Sequence, residues 1–192
     1  MKHTILGVVL LVLAPSLTLA QDERAVVGAG LGASAPASAL GNAVDSGVAI
    51  QGFGSWPLSG MVGFRVDAGL NRFSPSPNVR ADCSAHGFDC NNRLGHADVG
   101  LEIAARESRH SAVRPFGFAE MGAYNFAQEA ASGSFKASNS GTHLGGGVGG
   151  GLRANLAGGW GLGAQLSARW WRQSDVSPTQ TYWFLEPGAI VF

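Results

Sequence analysis

Apolar residues recur at every second position along this chain, in about eight separate segments. In residues 60–73, Val62, Phe64, Val66, Ala68 and Leu70 fall on one side, and Gly63, Arg65, Asp67, Gly69 and Asn71 on the other. Residues 94–107 repeat it: Ala97, Val99, Leu101, Ile103 and Ala105 oppose His96, Asp98, Gly100, Glu102 and Arg106. So do residues 142–154 and 160–173, with Leu144, Val148, Leu152, Leu162 and Leu166 against Gly-rich faces carrying Arg153 and Arg169. Period two is strand patterning. A helix would place the apolar residues all round its circumference, and each interior glycine would cost it ~1 kcal/mol. Residues 24–33, 45–56, 113–126 and 181–192 carry the pattern less cleanly. In 113–126 one face mixes bulk with charge, as Arg114, Phe116, Phe118, Glu120 and Tyr124. In 181–192, Pro187 suits a strand edge or bulge.

The connections alternate in length. Residues 57–60, 108–112 and 155–159 are short turns, whereas 34–44, 74–93, 127–141 and 174–180 are longer loops. In an up-and-down arrangement this puts every short turn at one end and every long loop at the other, the asymmetry of outer-membrane barrels. Strands of this length also suit a tilted membrane crossing, which needs ~9–11 residues. The polar faces are too poor in charge for contact with water. Charged residues are 14% of the chain, and 29 of 192 residues are glycine. The charges are balanced, Arg65, Arg106, Arg153 and Arg169 against Asp67, Asp98, Glu102 and Glu120. Such a set fits a narrow interior in which ion pairs fill the lumen, and buried charges must be paired to be tolerated.

The amino terminus places the chain in an exported class. Met1-Lys2-His3 gives a basic start, residues 5–13 are an apolar run, and Thr18-Leu19-Ala20 offers small residues for cleavage after Ala20. This is a cleavable signal peptide over residues 1–20, leaving 21–192 as one barrel domain. Export to an oxidising compartment makes a disulfide between Cys83 and Cys90 the expectation. His86 lies between them, but the spacing is not a standard zinc pattern. Lys+Arg equals Asp+Glu at 13 each, with no basic stripe of the kind nucleic acid requires.

The ending Tyr182-Trp183-Phe184-Leu185-Glu186-Pro187-Gly188-Ala189-Ile190-Val191-Phe192 resembles the carboxy-terminal insertion signal of outer-membrane proteins. Tyr182, Phe184, Ile190 and Phe192 match its alternate apolar positions. Glu186 departs from it and would face lipid unless Pro187 shifts the parity. Val113-Arg114-Pro115-Phe116-Gly117-Phe118, followed by Gly122-Ala123-Tyr124-Asn125, is similar to the central hairpin of the OmpA-like and OmpX-like barrel family. Gly28-Ala29-Gly30-Leu31-Gly32-Ala33 and Gly69-Leu70-Asn71-Arg72-Phe73 resemble its first and third strands. The resemblance covers the mature chain. It implies an all-β fold: an eight-stranded antiparallel up-and-down transmembrane barrel in a Gram-negative outer membrane, inserted by the outer-membrane assembly machinery.

Aromatic residues near segment ends (Trp56, Phe73, Tyr124, Phe126, Trp160, Trp170, Trp171, Tyr182 and Trp183) suggest interfacial girdles. Three functions stay open. The first is a scaffold, its lumen mostly plugged by Arg65, Asp67, Asp98, Glu102, Arg106, Glu120, Arg153 and Arg169, with loop 74–93 stapled for an extracellular ligand. The second is a narrow passive, porin-like pore. The third is a lipid A-modifying enzyme, for which His110-Ser111, or Thr142-His143 with Glu129, are the only adjacent candidates. No cofactor or metal motif is visible. The expected partners are outer-membrane lipid, the assembly machinery and a ligand at loop 74–93, without nucleic acid.

Overall fold

The computed structural model describes residues 25–105, 113–156, 159–173 and 179–192. Eight strands lie among them: β1 (Val26–Ala37), β2 (Val44–Ser59), β3 (Val62–Pro75), β4 (Asp89–Ala104), β5 (Val113–Ser132), β6 (Phe135–Asn155), β7 (Gly161–Gln173) and β8 (Gln180–Val191). Each pairs antiparallel with its sequence neighbours, and β1 closes on β8 from Ala29↔Val191 to Ala37↔Trp183. Closure leaves no strand edge unpaired around the ring itself, the condition for a sheet to sit in hydrocarbon. No helix among the described residues is long and apolar enough to cross a membrane.

The alternation reads out directly as an inside-out barrel. Leu70, Met121 and Leu144 are 67%, 69% and 80% exposed, while Arg65, Asp67 and Arg169 are wholly buried. In water such an outer face would be a large aggregation patch; in lipid it is the solvated face. β5 has the parity its bulky face left undecided: Phe116, Phe118, Glu120 and Tyr124 point into the lumen.

Inward glycines allow the tight curvature. A Cβ at Gly122 would stand 2.0 Å from the Ala97 carbonyl oxygen, and one at Gly151 2.0 Å from that of Ala164. Others make room for rings: a Cβ at Gly69 would meet His96, at Gly149 Phe118, and at Gly28 Phe53.

The short connections lie at one end with Phe192, and β2 turns into β3 through Gly60-Met61, with Gly60 at φ 55°. The other end departs from the sequence expectation in two places. Residues 127–141, expected as a loop, are strand: β5 and β6 stay paired to Ser132↔Phe135, turning at Gly133 with φ 58°. These strands have 20 and 21 residues, about twice a membrane crossing, so the hairpin projects beyond it. Residues 74–93, expected as the longest loop, hold helix α2 (Pro77–Ala85), and β4 already begins at Asp89. A short helix α1 (Leu40–Ala43) joins β1 to β2. The signal segment 1–20 and Arg106 lie outside the described residues.

Candidate functional site

The lumen has three layers. In the middle, β7 carries Arg169 into a ring of carboxylates. Its Nη1 donates to Asp98 Oδ2 at 2.8 Å and Glu120 Oε1 at 2.6 Å, its Nη2 to Asp67 Oδ1 at 3.0 Å, and its Nε to Glu186 Oε2 at 2.7 Å. Arg65 on β3 donates to Glu102 at 2.8 Å and Asp67 at 2.9 Å. Arg153 on β6 grips Glu102 with both terminal nitrogens, at 2.6 and 2.7 Å. That fork geometry is what a guanidinium offers and an ammonium does not. Aromatic faces take the flat sides of these cations: Arg65 lies 4.2 Å from the Phe118 centroid, and Arg153 3.9 Å from that of Phe116.

Seven residues expected from sequence thus meet: Arg65, Asp67, Asp98, Glu102, Glu120, Arg153 and Arg169. Two members were not in the expected network. His96 Nδ1 lies 2.8 Å from Asp98 Oδ2 and 4.0 Å from Asp67. Glu186 is buried against Arg169, and so corrects the expectation that it faces lipid. β8 runs through Pro187 without a register shift against β7. Its inward face therefore carries Phe184, Glu186 and Ile190, with Tyr182 and Phe192 partly buried on the same side. The lipid-facing set is Trp183, Leu185 and Val191. The four matched positions of the terminal signal all lie on the lumen face, and the parity of Arg169↔Phe184 pairing is the clue that places them there.

Asp67, His96 and Asp98 each offer a ligand-type atom within 4.8 Å of the others. Arg169 already occupies both carboxylates, and its charge opposes a metal ion there.

Above this layer, toward the long-connection end, lies an apolar cluster. Leu40 of α1 and Val44 pack with Phe73, Leu94, Tyr124, Trp171 and Phe184. A stack runs down from it, Tyr182–Trp171–Tyr124–His96, with centroid separations of 5.2, 6.3 and 5.7 Å. Phe73, Tyr124, Phe126, Trp171 and Tyr182 are therefore inside the barrel, not in a girdle. Trp160 and Trp183 do stand outside, with Trp170 packed 5.1 Å from Trp183. Below the network, a vestibule of about 850 Å³ opens at the short-turn end, with Glu102, Arg114, Phe116, Arg153 and Phe192 in its wall.

The outer end presents two built elements. Cys83 and Cys90 form a disulfide that ties α2 to the start of β4. Beside it stands the β5–β6 hairpin, linked through the Phe88–Phe135 ring contact at 6.2 Å and the Arg93–Glu129 ion pair. Among the described residues, the candidate set of Thr142, His143 and Glu129 does not assemble. Thr142 accepts a hydrogen bond from Asn125 at 2.9 Å, and His143 takes the opposite face of β6. Glu129 is held by Arg93, and His110-Ser111 lies outside the described residues.

Three solved barrels share this architecture. Neisserial surface protein A aligns at 17% identity over 88% of this chain and 97% of its own, with TM-score 0.63. A major outer membrane protein from Thermus thermophilus gives 12%, 87% and 100%, with TM-score 0.53. Ail, the attachment invasion locus protein of Yersinia pestis, gives 14%, 88% and 97%, with TM-score 0.51. No curated protein matches in sequence. The family described as outer membrane protein beta-barrel domain matches residues 6–182. With that match lying over most of the closed eight-stranded ring, the chain belongs to the outer membrane protein beta-barrel family.

Proposed function

We propose that this outer-membrane barrel is a non-conducting, non-enzymatic scaffold that holds a rigid binding surface above the membrane. One observation carries the reading: two outer elements, the disulfide-closed α2 segment and the overlong β5–β6 hairpin, are held to one another by the β4–β5 pairing and at Phe88–Phe135 and Arg93–Glu129. Loops on a rigid frame are where recognition resides, and joining them lowers the entropy lost when a partner binds. The attachment role in the name of the similarly folded Ail accords with this reading. The layered lumen supports the non-conducting part, since eight strands leave an interior that side chains can fill.

The test is a shortened hairpin. Residues 128–139 are replaced by a two-residue Asn-Gly turn between Ala127 and Ser140, which are cross-strand partners. The variant is expected to fold, seen as a heat-modifiable gel band, and cells displaying it should lose adherence to host-cell surfaces. Adherence equal to that of the parent removes the hairpin from any binding role. The alternative, a narrow pore, is favoured by the vestibule that reaches in as far as Arg153. Steady single-channel steps from the parent protein in a planar bilayer would establish that alternative.

A further inference from the structure

The lipid-facing surface changes character abruptly at its outer margin. From Val62 to Leu70 on β3, and from Ile103 back to Gly95 on β4, every outward residue is apolar or glycine. The next outward residues are Arg72 and Arg93, direct cross-strand partners. Like charges directly opposite each other destabilise a sheet. Arg93 is relieved by Glu129 on β5. Arg72 is not: it has no carboxylate within ion-pair distance among the described residues, and its one side-chain bond is a 3.4 Å contact to the neutral Asn91 Oδ1.

Arg72 also borders a crevice of about 490 Å³, lined besides by Ser46, Val48, Ser74, Asp89 and Asn91. The irregular register between Val44 and Gly47 shapes this wall. Two hydroxyls and a free guanidinium are donors suited to an oxyanion. Directly beneath Arg72 on the same face is Leu70, and the β2 partner of Arg72 is Val48; the two apolar residues are 67% and 59% exposed. A cationic, donor-rich patch therefore sits immediately above an apolar one at the membrane edge. The short-turn asymmetry puts that edge in the outer leaflet.

We propose that Arg72 and Arg93 form a binding site for the phosphate group of an outer-leaflet lipid, whose acyl chains run down over Val48 and Leu70. The phosphate gives Arg72 the anionic partner that Arg93 already has in Glu129, and lies between the two guanidinium groups, while Ser46 and Ser74 donate to its remaining oxygens. Asp89, which makes no ion pair among the described residues, limits the site to a single phosphate. Arg93 is shared with the joint to the β5–β6 hairpin described above, whereas Arg72 is not, so the Arg72→Gln arm tests this site apart from that binding surface.

The experiment uses the folded protein in detergent, titrated with bisphosphorylated lipid A and read by native mass spectrometry. One lipid should bind saturably. Arg72→Gln and Arg93→Gln should each weaken it about tenfold or more, as expected for loss of a charge-assisted pair. Asp89→Asn should tighten it, a gain that no merely structural role produces. Arg172, outward on the far side of the barrel opposite Thr181, supplies the control, and Arg172→Gln should leave affinity within about twofold. Equal losses at Arg72 and Arg172 would mean diffuse rim electrostatics and overturn the site. Equal binding of phosphate-free lipid A would reduce it to acyl contact, and displacement by inorganic phosphate alone would make it a free-anion site; either result overturns the lipid assignment. The heat-modifiable band verifies that each variant is folded.

Discussion

Arg169 spends every donor nitrogen on a carboxylate: Asp67, Asp98, Glu120 and Glu186 all converge on it. Among the described lumen residues, three guanidinium groups (Arg65, Arg153 and Arg169) face five carboxylates, with His96 wedged between Asp67 and Asp98. The balance leaves no cation to spare, so removing one strands negative charge inside a wall of lipid-facing strands. Breaking a buried pair by deleting one partner costs ~3–5 kcal/mol, because the survivor stays buried and uncompensated. Arg169→Met should therefore lower the urea midpoint of unfolding sharply, and adding Glu120→Gln to it should restore part of the loss. A midpoint unchanged by Arg169→Met would show that the ring does not hold the barrel together. The same logic explains why the lumen uses arginine: one fork can serve several carboxylates at fixed angles, which a lysine cannot.

At the scale of elements, the barrel and its outer ornaments separate. The Cys83–Cys90 bridge closes only a seven-residue separation, from α2 to the second residue of β4. Cys83→Ser with Cys90→Ser should leave the barrel's unfolding midpoint and gel shift unchanged, while residues 77–88 become much faster to cleave by protease. A fall in the barrel midpoint would instead make the bridge part of the membrane fold. The sequence made these two parts unequally legible. β3, β4 and β7 were readable because lipid on one side and ion pairs on the other force strict alternation, as in Val62 to Leu70. The upper β5–β6 hairpin was not, because both its faces meet water; Ser138, Asn139 and Ser140 form strand through backbone pairing alone. The ring of charges was legible except for His96 and Glu186, and the inward placement of Glu186 turns on the parity of one strand. A matching ambiguity hid the apolar cluster: an aromatic residue at a strand end has the same spacing whether it joins a girdle or, like Trp171, fills the lumen.

On the non-conducting reading proposed above, the lumen as a whole works as two barriers in series. An ion entering from the outer end first meets an apolar plug, Leu40 and Trp171 among its members, where it would lose its hydration with nothing in exchange. Beyond it lies the ring around Arg169, where each carboxylate that could replace that hydration already accepts from a guanidinium. Only then does the vestibule open. Resistances in series add, so relieving one barrier leaves the other in command. Trp171→Ala should leave the folded barrel silent in a planar bilayer, because Arg169 still fills the centre. Arg169→Met with Glu186→Gln should also be silent, because the plug is intact. The triple variant should show discrete current steps, and Leu40→Ser can stand in for Trp171→Ala if the tryptophan variant fails to fold. Steady conduction from either partial variant would mean that a single layer seals the lumen. The other layer would then serve stability alone.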